Sequence, residues 1–122
     1  MGGQKDKSSR EESLLQASCV EWFKNNYCLK HQKPRYDIFS VPNEATWNNN
    51  NFKAMGVRKG ASDLVVVMNK VIFIEMKDQK GSQSDDQIDF EEVVTELGHN
   101  YHIIRSLEQF KKLIWLNAQQ TK

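Results

Sequence analysis

The hydrophobic positions of the chain follow a helical period in three stretches and a strand pattern in four. The first helical stretch runs from about Ser9 to Asn26, where apolar residues recur at offsets of four, seven and eight. The second begins after Ser84 and ends at Gly98, and the third begins after Ser106. Serine is a typical N-cap and glycine a typical helix end. The apolar faces contain Leu15, Cys19, Trp22 and Phe23; Phe90, Val93, Val94 and Leu97; and Leu107, Phe110, Leu113 and Ile114.

Four short runs rich in β-branched and aromatic residues predict strands. The runs 64–68 and 71–76 surround Asn69-Lys70 and predict an antiparallel hairpin, while runs 36–41 and 101–105 predict a strand on either side of it. The second helix separates the hairpin from the last strand, so it is a crossover and part of the sheet should be parallel. The predicted fold class is α/β, with the order helix, three strands, helix, strand, helix.

Composition limits the domain organisation and the function classes. A chain of 122 residues with 39% hydrophobic content is expected to form one domain, residues 11–122, behind a polar, disordered segment, residues 1–10. The net charge of +1 confines any DNA-binding surface to a local patch. Two cysteines and three scattered histidines argue against a zinc site and against a histidine-based nuclease site. Without a membrane-length apolar segment or a secretory signal, we expect a cytoplasmic protein of a bacterial or phage-infected host cell.

Three ionisable residues stand at the ends of the predicted hairpin. Asp63 opens the first strand, and Glu75 and Lys77 end the second, where side chains two apart share a face. Antiparallel pairing across Asn69-Lys70 places Asp63 beside Glu75. Two carboxylates there can hold a hard divalent cation, and the adjacent lysine can orient or activate a water. The alternative, a solvated strand end, is the better interpretation of Glu-x-Lys alone, but the three residues together favour a site.

Two further polar residues have a structural and a functional interpretation. Glu12 extends the apolar face of the first helix, where burying an unpaired carboxylate is costly, so it can reach the metal site; alternatively, Ser9-x-x-Glu12 is a capping box. Gln87 is either the capping partner of Ser84 or an active-site residue one turn into the second helix.

The central stretch resembles a known nuclease family. Gly56-x-x-x-Gly60-x-x-Asp63-Leu64, a hydrophobic strand, Glu75-x-Lys77, then Gly-Ser-Gln-Ser and the helical Gln87 resemble the VRR-NUC family, the virus-type replication-repair nuclease domains of the PD-(D/E)XK superfamily. The resemblance extends from about Glu12 to Phe110. One departure is Ser62, where the family usually has proline. The resemblance implies a mixed central sheet flanked by helices.

The resemblance also implies a chemistry. It predicts a DNA endonuclease that depends on Mg²⁺ or Mn²⁺ and hydrolyses phosphodiester bonds. The predicted metal ligands are Asp63, Glu75, the Met76 carbonyl and Glu12, the last directly or through water. Lys77 would orient the attacking water, and Gln87 would hold water, lysine or phosphate. A non-catalytic DNA-binding or protein-interaction domain on the same fold is the alternative.

Candidate DNA contacts and an assembly complete the prediction. Arg58, Lys59 and Lys80 are candidate phosphate contacts, and Asn43, which follows Val41-Pro42, is either a DNA- or water-positioning residue or an ordinary turn residue.

The last helix has a wide apolar face that includes Leu113, Trp115 and Leu116. This face predicts a homodimer, whose two symmetric sites suit a branched DNA, above all a four-way junction; alternatively, the helix packs wholly within the monomer.

Overall fold

Helices and strands follow one another in the order that the sequence predicts. The computed structural model describes residues 2–42 and 54–119, and side chains from Ser9 onward. The elements are α1 (Gly2–Tyr27), β1 (Asp37–Ser40), β2 (Leu64–Val67), β3 (Val71–Met76), α2 (Asp85–Glu96), β4 (Asn100–Ile104) and α3 (Leu107–Gln119). Over the two described ranges, the helices are too short or too polar to cross a membrane.

The four strands form one mixed sheet in the order β1-β2-β3-β4. The pairs β1/β2 and β2/β3 are antiparallel, whereas β3/β4 is parallel. The α/β prediction with a partly parallel sheet is therefore confirmed. In the β2/β3 register Leu64 pairs with Ile74, so Asp63, one residue before β2, comes opposite Glu75.

The two faces of the sheet are covered by different helices. On one face, α1 and α3 enclose the main core, where the rings of Trp22 and Phe23 lie edge-on to Phe110. On the other face, α2 packs through Phe90, whose ring lies 5.5 Å from that of Phe73 and 6.1 Å from that of Tyr101. Odd-numbered residues of β2 and β3 point to the α2 face, and Glu75 is one of them.

The N-terminal part of the chain differs from the prediction. Helix α1 begins at Gly2, so residues 2–10, for which the sequence predicts disorder, lie in its first turns. Gln, Lys and Arg are good helix formers, and a helix nucleated by the packed residues further along extends at little cost. Ser9 is therefore not an N-cap.

The predicted caps of the other two helices are confirmed. Ser84 is the N-cap of α2 and forms a capping box with Gln87, and Gly98 follows the helix with a φ of 88°. The Ser106 hydroxyl accepts a hydrogen bond from the Gln109 amide at the start of α3. These caps fix where α2 and α3 begin, and both starts lie close to the candidate site.

Candidate active site

The carboxylate of Asp63 is held across the end of the hairpin. Its Oδ2 accepts a hydrogen bond of 2.7 Å from the backbone amide of Met76. This amide lies at the last residue of β3, so the bond fixes the Asp63 side chain against the strand that carries Glu75. The sequence-predicted pair of acids is thus brought together.

Glu75 is the most buried acid of the site, with 1% of its surface exposed. Its Oε2 accepts a hydrogen bond of 2.8 Å from Gln87 Nε2 and lies 4.0 Å from Lys77 Nζ. Its Oε1 is buried and, within the described part of the chain, lacks a hydrogen-bond partner. Asp63 is also an acceptor when ionised, so it cannot satisfy this oxygen unless Glu75 carries a proton.

The environment of Glu75 favours its neutral form. Burial raises the pKa of its carboxyl to about 9, and the charge of Asp63 and a hydrogen bond between the two side chains act in the same direction. The nearby Lys77 lowers the pKa but does not outweigh them. An acid that is costly to ionise beside a second acid is typical of functional sites, where a cation or a proton balances the charge.

Gln87 has both of the roles that the sequence left open. Its Oε1 accepts from the Ser84 amide at 2.9 Å, and its own amide donates to Ser84 Oγ at 3.2 Å, which completes the capping box. Since the oxygen is used for the cap, the amide NH₂ faces Glu75. The capping box therefore determines how Gln87 meets the acid.

Lys77 lies on the same side of β3 as Glu75, as the strand period predicts. It is 9% exposed, and a buried ammonium group needs nearby negative charge. Glu75 Oε2 lies 4.0 Å from its Nζ. The charge of Lys77 lowers the pKa of both Glu75 and Glu12, so the lysine acts on both glutamates.

Glu12 reaches the site from α1, but by a different contact from the predicted one. Its Oε2 accepts a hydrogen bond of 3.3 Å from the Asp78 amide. Burial raises the pKa of Glu12, opposed by this hydrogen bond and by Lys77. The capping alternative for Glu12 is wrong, because α1 begins at Gly2 and Glu12 lies in the helix interior.

The donor set fits a divalent cation at Asp63 and Glu75. The buried, unsatisfied Oε1 of Glu75 lies beside a second carboxylate, and hard cations prefer such oxygen ligands. Among the side chains that the structure describes, no three Asp, Glu, His or Cys residues are arranged to ligate one ion. Glu12 is therefore placed beside the pair and not within a three-carboxylate cluster.

Two of the candidate DNA contacts, Arg58 and Lys59, form ion pairs with acidic residues of α2. Arg58 Nη2 donates to Asp89 Oδ2 at 2.9 Å and its guanidinium lies 5.5 Å from the centre of the Phe90 ring. Lys59 Nζ lies 3.5 Å from Asp86 Oδ2. These pairs hold the segment before Asp63 against the helix that carries Gln87. Lys80 is exposed, and Asn43 lies outside the described residues.

Sequence reasoning missed the residues that support the site from other elements. Arg105 donates to the backbone of the turn that follows Lys77. Gln83 donates to Glu91 at 2.9 Å and to the Tyr101 hydroxyl at 3.2 Å on the α2 side. Arg105 is 24 and 27 residues from its two acceptors, so no local pattern identifies it.

Comparison with known proteins agrees with the resemblance seen in the sequence. No protein-family model and no curated protein matches this chain. A solved structure titled "VRR_NUC domain protein" matches with a TM-score of 0.70 and 22% identity over 87% of this chain and 86% of that chain. Another, titled "VRR_NUC domain", matches with a TM-score of 0.59 and 23% identity over 85% of this chain and 94% of that one. The chain therefore has the fold of VRR_NUC domains, which confirms the predicted fold.

Proposed function

We propose that this chain, folded as a VRR_NUC domain, is a divalent-metal-dependent endonuclease that hydrolyses DNA phosphodiester bonds. The observation that carries the proposal is the buried Glu75, with one oxygen unsatisfied beside Asp63 and the other held by Gln87 near Lys77. A structural core has no use for such an arrangement, because the buried acid is costly to ionise. A metal-dependent hydrolase does use it.

Asp63 and Glu75, together with the Met76 carbonyl, are the groups that would hold Mg²⁺ or Mn²⁺. Such an ion, when bound, supplies Lewis-acid activation of a phosphate oxygen and of a water. Lys77 lies 4.0 Å from Glu75, where its ammonium group can orient the attacking water and stabilise negative charge on the pentacoordinate phosphate. The water attacks in line with the leaving oxygen, so no covalent intermediate with the enzyme forms.

Glu12 and Gln87 keep the reacting groups in place. Gln87 holds Glu75 in one orientation through its amide. Glu12 is fixed by the Asp78 amide, and its remaining oxygen is available to bind a water. In this proposal it completes the acidic shell through water and not as a direct ligand.

The proposed substrate is branched DNA, cut by a homodimer. One site cuts one strand, so paired incisions need two copies of this chain. On α3, Trp115 and Leu116 are 56% and 44% exposed, while Leu113 packs against the core. The exposed pair supports self-association, and a two-fold dimer presents two sites that suit a four-way junction.

A cleavage assay tests the proposal at two levels. Purified protein is incubated with plasmid, linear duplex and a four-way junction in Mg²⁺, Mn²⁺ or EDTA. We expect nicking with either metal ion, none in EDTA, and none by Glu75→Gln with either ion. A folded wild-type protein that cuts none of these DNAs would refute the nuclease and favour the non-catalytic alternative.

Substrate preference and assembly are separate outcomes of the same experiment. The junction should be cut by paired incisions and faster than linear duplex, and light scattering with Mg²⁺ and junction present should give a dimer. Equal cutting of the two DNAs, or a strict monomer, would refute the junction-cutting dimer without refuting the nuclease.

A further inference from the structure

The turn that follows the Glu75-x-Lys77 motif is held by an arginine from the end of the neighbouring strand β4, where the Lys77 amide donates to the Ile104 carbonyl. Arg105, between β4 and α3, donates from one guanidinium nitrogen to the carbonyl oxygens of Asp78 at 2.7 Å and of Gly81 at 2.8 Å. Gln79 Nε2 donates in return to the Arg105 carbonyl at 3.2 Å. The two ends of the turn 78–81 are thus held together by one charged donor.

This turn lies against two of the proposed active-site residues. The Asp78 amide donates to Glu12 Oε2 at 3.3 Å. A side-chain carbon at Gly81 would lie 3.4 Å from that same oxygen and 3.4 Å from Lys77 Cδ. Gly81 therefore lies next to both the glutamate and the lysine stem. A displacement of the turn would move both side chains.

Arg105 is itself fixed by contacts that do not involve the site. Its amide donates to Gln109 Oε1 at 2.7 Å, and Gln109 Nε2 donates to the Ile103 carbonyl at 3.0 Å. The end of β4 and the first turn of α3 thus anchor the backbone of Arg105. Because the backbone of Arg105 is fixed, the hydrogen bonds of its guanidinium group hold the turn 78–81 in place relative to β4.

We propose that Arg105 is a positioning residue, which sets Glu12 for the reaction through the turn 78–81. The inference rests on the proposed function, since it assigns a role in that same site. The guanidinium of Arg105 donates to the backbone carbonyls of Asp78 and Gly81, and its effect is transmitted by that backbone. A positioned carboxylate loses effect steeply when displaced by about one ångström.

Amide hydrogen exchange tests the positioning without relying on activity. In Arg105→Met, which keeps the apolar stem but loses the donors, the Asp78 amide should exchange at least about tenfold faster, the scale of one lost hydrogen bond. Arg105→Lys, whose ammonium can still donate to both carbonyls, should restore part of the protection. Glu108→Gln is the control, because Glu108 is an exposed residue in the first turn of α3 whose ion pair is with Lys111, and it should leave Asp78 unchanged. Unchanged exchange in Arg105→Met would overturn the proposal.

Kinetics tests whether the position matters to the reaction. At a temperature where all variants are folded, Arg105→Met should lower kcat about tenfold to a hundredfold with KM and salt dependence unchanged. The loss should be smaller in a Glu12→Gln background, because the two residues act in series. A raised KM would make Arg105 a DNA contact, and an equal kcat loss in Glu108→Gln would mean that the kcat loss does not report on the turn; either result overturns the proposal. A wild-type protein without activity would refute the proposed nuclease, while the exchange experiment still decides the positioning.

Discussion

Removing the charge of Glu75 should stabilise the metal-free protein. In Glu75→Gln the new side chain has nearly the same shape and its carbonyl oxygen can still accept from Gln87. Its NH₂ can donate to Asp63, which the ionised glutamate cannot do. The variant therefore keeps the packing and removes a buried carboxyl group that is costly to ionise and must hold a proton in the absence of a cation.

The size of the effect follows from the pKa of Glu75, which is about 9 in the folded protein against an ordinary value of 4.5. A raised pKa contributes stability that is fully present below pH 4.5 and is lost as the pH rises towards 9. One pKa unit corresponds to about 1.4 kcal/mol, so at pH 7.5, where the folded protein keeps a proton that the unfolded chain has released, the fold is less stable by up to about 4 kcal/mol than it is below pH 4.5. Because Lys77 interacts favourably with the carboxylates and loses part of that interaction in the variant, we expect the substitution to recover about 2 kcal/mol.

The assay is urea unfolding in EDTA, followed by circular dichroism between pH 4.5 and 8.5. Glu75→Gln and wild type should have similar free energies of unfolding at pH 4.5, and the variant should become the more stable of the two as the pH rises. Glu92→Gln, which removes an exposed glutamate of α2, is the control and should not show this divergence. A stability difference that does not change with pH, or a wild type more stable at pH 8.5, would refute the account of Glu75. Added Mn²⁺ should stabilise wild type and not the variant.

Three further substitutions test other parts of the site. Lys77→Ala should lower cleavage at least about a hundredfold while calorimetric Mn²⁺ affinity stays similar or improves, because lysine is not a ligand; loss of both would mean a structural role. Glu12→Gln can still accept from the Asp78 amide but loses the charge, so it should fold normally and cleave poorly in the plasmid assay, and wild-type cleavage would reduce Glu12 to a support of the turn. Gly60 has a φ of 83°, and a side-chain carbon there would overlap the Asp86 backbone. Gly60→Ala should therefore lower the free energy of unfolding in urea by about 1–3 kcal/mol more than Gly56→Ala, because φ is also positive at Gly56 but no described atom lies within 4 Å of a side-chain carbon there. Equal losses would contradict the packing of this segment on α2.

The hairpin and the second helix were predictable because their signals are local. The strand period and the short break around Asn69-Lys70 are enough to bring Asp63 to the end of β3; in the observed register Val67 pairs with Val71, so the connection is Met68 to Lys70 and Asp63 comes directly opposite Glu75. The serine at position 84 with Gln87 three residues later is a capping box within one turn of chain. In both cases, the residues that form the contact in the structure are the same residues that form the local sequence pattern.

Other parts of the site depend on contacts between distant segments. Arg58 and Lys59 stay predicted DNA contacts, and the acids that they pair with lie 31 and 27 residues further along, on α2. Likewise, Ser9-x-x-Glu12 has the pattern of a cap, and only the start of α1 at Gly2 excludes it. Patterns within one turn of chain cannot choose between such partners, since tertiary packing makes the choice.

The single amide group of Gln87 ties the chemistry of the site to the docking of the crossover helix. Its oxygen closes the first turn of α2 and its nitrogen holds Glu75, and both atoms belong to one planar group. Fraying of that turn therefore releases the acid, even if the hairpin stays paired. A nascent or partly unfolded chain can contain Asp63, Glu75 and Lys77 on paired strands and still lack an oriented site. In the proposed nuclease, an oriented site therefore requires α2 to be docked on the sheet.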